Sequence, residues 1–187
     1  MLNKIIHVFT DDKIELKERL FRIILIVATI AVGLAILQGL TLVNADSLML
    51  IYIIMFVAFV FALILAFKYR YIELSSTILG IALVFVALPF IFLRGGGVNS
   101  GSGLWMCLGL FYIFIMFSGK KMYFLLVTAV IIDICCYVIS YYFPEYVVEL
   151  ATPFEKHFDS IFALVTVGFT VGIVMKFQIG VFDKERQ

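Results

Sequence analysis

Charge is what this chain has least of. Only 14% of its 187 residues are Asp, Glu, Lys or Arg, while 64% are hydrophobic and mean hydropathy is +1.16. A water-soluble domain of this length could not hide so much apolar side chain, so lipid is the expected solvent for most of it. The few charges nearly cancel to a net +1, which leaves no basic face for nucleic acid. Cysteine is sparse as well. Cys107, Cys135 and Cys136 all fall inside apolar runs and form neither a disulfide framework nor a zinc spacing. Catalytic signatures are missing: there is no Walker loop, GxSxG, HExxH or glycine-rich nucleotide fingerprint. The expectation is therefore a non-enzyme with no catalytic residue, no metal and no cofactor. No cleavable signal peptide is evident either, because the first apolar run starts near Phe21 and is long enough to span by itself.

What is present is long hydrophobic runs. A spanning helix needs roughly 20 apolar residues. Six candidates stand at 21–43, 48–68, 74–93, 104–118, 122–143 and 161–180. The expected fold is all-α, a polytopic transmembrane bundle over 21–182, with 1–20 as a cytoplasmic segment and 183–187 as a cytoplasmic exit. The fourth run reaches only about 22 Å at 1.5 Å per residue. It is expected to borrow from the glycine-rich stretch before it or to sit in thinned bilayer.

Orientation follows from Lys and Arg, which favour the cytoplasmic side. One set of segments carries Lys4, Lys13, Lys17, Arg19, Arg22, Lys68, Arg70, Lys120, Lys121, Lys176, Lys184 and Arg186; the other carries only Arg94 and Lys156. Twelve against two, with an even number of spans, puts both termini inside. The stretch "FLRGGGVNSGSGLW" then faces out, as does the acidic segment 144–160. His157, Glu155 and Asp159 in that segment are spaced by two residues and do not converge as metal ligands on a helix.

Asp133 is the most expensive residue, at about 2.5–3.5 kcal/mol for a carboxylate near a span centre. Tyr137, Ser140 and Tyr141 follow it at i+4, i+7 and i+8, on one helical face. That ladder reads either as a ligand or proton site open to the outside, or as an interhelical hydrogen-bonding face. The loop offers a second candidate. Gly95, Gly96, Gly97, Gly101 and Gly103 tolerate unusual backbone angles and expose amides that can bind an anion. Arg94, Asn99, Ser100 and Trp105 would join that site; the alternative is a flexible reversal with Trp105 anchored at the headgroups. Pro89 is expected to kink the third span and open space beneath the loop. Gly168 and Gly172, flanked by threonines, read as a dimer seam or as packing within the bundle, and Ala31 with Ala35 carries the same ambiguity.

The strings "LPFIFLRGGGVNSGSGLW", "GLFYIF", "DICCYVISYYFPE" and "FDSIF", with the opening "KERLFRIILIV", resemble the amino-terminal six-helix membrane sensory region of bacterial histidine kinases and diguanylate cyclases. "MKFQIGVFDKERQ" is similar to the start of the cytoplasmic coiled coil that follows such regions. The resemblance implies a multi-pass protein of the bacterial cytoplasmic membrane, a homodimer. It would pass an extracytoplasmic or in-membrane stimulus to a kinase or cyclase in the same chain or another. The alternatives are a small-molecule carrier, such as the substrate-binding membrane subunit of an importer, and a purely structural subunit.

Overall fold

The computed structural model describes residues 16–40, 46–68 and 72–185. Most of the expected cytoplasmic segment 1–20, the turn beginning at Asn44, the loop around Arg70 and the final two residues of the expected exit lie outside the described residues. Every regular element described is helical: α1 (Leu16–Gly39), α2 (Asp46–Lys68), α3 (Ile72–Ala82), α4 (Leu88–Arg94), α5 (Ser102–Met116), α6 (Gly119–Tyr142) and α7 (Pro153–Glu185). In lipid, helices satisfy their own backbone groups. Hydroxyls follow the same rule: Thr29, Thr128 and Thr170 each donate to the carbonyl four residues earlier.

Five segments are long and apolar enough to cross a membrane, namely Glu18–Gly39, Leu48–Phe67, Ile72–Arg94, Gly119–Tyr142 and Pro153–Gly180. They mark a multi-pass membrane protein. The expected fourth span is the 15-residue α5, which is shorter than the others. It occupies the middle of the bundle, packed on α4, α6 and α7. Protein around α5 does what lipid would otherwise have to do for a short helix. Phe21, Leu25, Phe59, Val84, Ile113 and Met116 form the main core between α1, α2, the third span and α5.

Around Pro89 the third span stays helical from Ile72 to Arg94, with a change of helix type below the proline. Proline removes an N–H and its ring crowds the carbonyl four residues back. Here the chain widens into a π-helical turn over Leu83–Ala87, where the Leu88 N–H donates to the Leu83 oxygen. The last helix also begins earlier than its apolar run. Thr152 and Glu155 cap each other: the Glu155 N–H donates to Thr152 Oγ1 at 3.1 Å, and the Thr152 N–H to Glu155 Oε2 at 3.0 Å. With Pro153 at the first helical position, this reciprocal cap starts α7 at 153, eight residues before the expected 161. The expected outer loop is correspondingly shorter, a strap over 143–152.

Candidate functional site

The glycines that open the loop are buried, while Val98 and Asn99 at its tip are exposed. Gly95, Gly96 and Gly97 are inaccessible, and Gly96 and Gly97 adopt φ of 99° and 56°, a region that side chains disfavour. The loop folds around the Gly97 carbonyl, which lies 2.9 Å from Ser100 Oγ and 3.1 Å from Ser102 Oγ; one hydroxyl donates to this carbonyl while the other donates to it or to its serine neighbour.

The anion this loop holds is the chain's own. The Gly101 N–H donates to Asp159 Oδ2 at 2.8 Å, and Gln38 Nε2 donates to Asp159 Oδ1 at 3.0 Å. Three distant segments, the glycine-loop end of α1, the loop and α7, meet on one carboxylate. Glycine is required at 101, since a Cβ there would lie 2.4 Å from the Ala163 Cβ. In the sequence Asp159 is one acid among several, and Gln38 stands out not at all. The sole signal either carries is that of a polar residue near the end of an apolar run.

The ladder on α6 grips the loop from the other side. Tyr137 packs on Phe92 with ring centroids 4.9 Å apart, and its hydroxyl sits against Gly103. Ser140 lies against Gly97, as does Val147 of the strap. The strap is tied in turn, its Val148 N–H donating to the Leu93 oxygen at the end of α4. Outside the membrane-spanning helices, Glu149 pairs with Lys156 at 2.8 Å, which holds its carboxyl below the usual range.

The remaining sequence candidates scatter. Arg94 is exposed and lies over the Phe90 ring, 5.6 Å from its centroid. Asn99 is exposed and lines a surface groove with Glu149 and His157. Tyr141 is 79% exposed and meets Tyr142 edge-on. Asp133 is partly buried near Cys136 and Tyr137, and it hydrogen-bonds to no described residue. Gly168 and Gly172 face away from the bundle, with nothing within 4 Å of the Cβ either would carry.

Beneath the loop lies a cavity of about 80 Å³ that none of the α6 ladder touches. Its wall runs along α1 from Ile24 to Ala35 and along α5 from Trp105 to Ile115, closed by α2, the third span, and Thr170 and Val174 of α7. The wall is almost wholly apolar, because the Thr170 hydroxyl is turned to the Thr166 carbonyl. A second, small cavity of about 10 Å³ sits at the loop end, bounded by Tyr52, Ser102, Trp105, Leu150 and Asp159. Tyr52, Ile91 and Trp105 line both, so the polar latch lies next to the apolar crevice.

The opposite end of α1 is also tied down. Arg22 is buried, pairs with Glu18, donates to the Ala66 oxygen of α2 at 3.2 Å and lies over the Phe67 ring. Among the described residues no cluster of His, Cys, Asp and Glu is arranged to hold a metal. Comparison with family models, curated proteins and solved structures finds no match.

Proposed function

We propose that this chain is the membrane-embedded input module of a signal-transduction receptor, with six spans, both termini cytoplasmic and the glycine loop outside. The asymmetry of Lys and Arg supports the orientation, and the resemblance of its strings to kinase and cyclase sensory regions supports the class. The observation that carries the reading is α7. This one unbroken helix of 33 residues bears Asp159 of the latch near its start and Thr170 and Val174 in the crevice wall, and it continues to Glu185. At 1.5 Å per residue it is about 50 Å long, well beyond a hydrocarbon core of about 30 Å. A change in the crevice or the latch would move a rigid rod that emerges on the cytoplasmic side. Such a switch needs two packings separated by a few kcal/mol, with the stimulus preferring one.

Helical phase tests the reading. A histidine kinase joined with its own linker after Gln187 should show autophosphorylation that changes when one residue is inserted, a turn of about 100°, and recovers with seven, close to two turns. Activity indifferent to one, two, three and seven residues would leave the carrier reading, which the same crevice favours.

A further inference from the structure

We propose that the crevice holds a single unbranched alkyl chain whose hydrogen-bond-donating head, hydroxyl or amine, docks at Asp159. The proposal rests on the sensory reading for its purpose and supplies the class of stimulus.

The shape of the cavity selects a chain. Ile24 and Ala35 are eleven residues apart on α1, about 16 Å of helix, and Trp105 to Ile115 on α5 gives about 15 Å. A small volume stretched over that length is narrow, and it admits a chain more readily than a ring system. Apolar cavities stay dry and take up apolar guests. Ala28, Ala31, Ala35 and Gly109 keep the wall open by having little or no side chain.

The latch selects the head. Asp159 accepts two hydrogen bonds, one on each oxygen, and a carboxylate can accept about four. No described Lys or Arg pairs with it. A carboxylate so placed favours a donor and repels an anion. Beside it, Tyr52 and Trp105 line both cavities, and neither the Tyr52 hydroxyl nor the Trp105 indole N–H hydrogen-bonds to a described residue. With Asp159 accepting one hydrogen bond from the head, the Tyr52 hydroxyl can accept a second from an ammonium, and either group can donate to the oxygen of a hydroxyl head. Apolar walls with a few convergent polar groups at one end are the ordinary anatomy of a ligand site.

The protein carries its own reporter, since Trp105 is its only tryptophan. The full chain, reconstituted in phosphatidylcholine nanodiscs, would be titrated with a chain-brominated C12 alcohol, amine and carboxylate while Trp105 emission is read. Bulk partitioning gives linear quenching; site occupancy gives a saturable component that the unbrominated alcohol relieves. We expect saturable quenching by alcohol and amine, at least tenfold weaker for the carboxylate. Tyr52→Phe, which removes only an unbonded hydroxyl, should weaken the alcohol severalfold, and Ala31→Phe should abolish the saturable component. Nanodiscs of chain-brominated phosphatidylcholine separate two sources of the chain. Excess quenching there that the alcohol relieves makes the resident occupant a bilayer lipid displaced by the donor-headed amphiphile; its absence makes the site free until that amphiphile arrives. Linear quenching by all three head groups, equal saturation by the carboxylate, or saturation that survives Ala31→Phe would each overturn the proposal. Should Ala31→Phe fail to fold, Ala35→Leu fills the same wall and is read the same way. Because no output domain is used, such a failure leaves the phase dependence of α7 untouched.

Discussion

Gln38 and Asp159 are separated by 121 positions in the chain and by 3.0 Å across the bundle. Their bond joins the glycine-loop ends of α1 and α7, and the second oxygen of the same carboxylate holds the loop through Gly101. Asp159→Ala should therefore both destabilise the fold and loosen the loop. Removing the acceptor of a buried amide costs about 1–3 kcal/mol. Denaturant unfolding in detergent measures the loss, and faster hydrogen exchange at 95–103 would report the loop. Asp159→Asn should fall between the wild type and Ala, because one carbonyl oxygen remains.

Sidedness can be read with single cysteines once Cys107, Cys135 and Cys136 are replaced. Asn99 is exposed in the loop and Lys120 is exposed at the start of α6, whereas Ser102 is buried and would label poorly in either orientation. In intact cells an impermeant maleimide should label Cys at 99 and spare Cys at 120. Equal labelling of both would refute the six-span topology.

Asp133 separates a folding role from another one. It hydrogen-bonds to no described residue, so Asp133→Asn should fold and unfold like the wild type. Asp133→Leu should be at least as stable, since it removes a lone carboxylate from an apolar span. Loss of folded protein with Asn, measured by size-exclusion chromatography, would show that the carboxylate is needed for packing.

Two local substitutions test the framework. Thr152→Ala removes one half of the reciprocal cap and should cost about 0.5–2 kcal/mol. Gly80→Ala would place a Cβ 2.5 Å from the Tyr112 ring, whose hydroxyl donates to the Ser76 oxygen at 2.8 Å. Overpacking of this kind costs about 1–3 kcal/mol. Unfolding midpoints in detergent check both, and an unchanged Gly80→Ala would mean that the ring moves aside freely.

Segments that lipid dictates are legible in the sequence itself. The expected 48–68 and 122–143 compare with Asp46–Lys68 and Gly119–Tyr142, because long apolar runs leave helices no alternative. The start of α7 is written there too: "TPFE" carries the capping signature, but a count of apolar residues begins later and passes over it. The latch is not legible. Asp159 finds Gly101 from 58 positions away and Gln38 from 121, and no periodicity connects them. The glycine loop reads as flexible because glycine is permissive, yet the glycines let α7, the strap and Tyr137 approach closely. Composition reports freedom of the chain, and only packing reports how that freedom is used.

Synthesis order gives the latch a further meaning. α1 is made first among the described helices, while α7 is made after every element it touches. Until Asp159 leaves the ribosome, the Gly101 amide has no carboxylate to hold it, and the faces of α1 and α5 that α7 covers remain open. Among the described helices the bundle thus closes as α7 inserts, and a nascent chain halted in the strap would expose a greasy, half-walled trough.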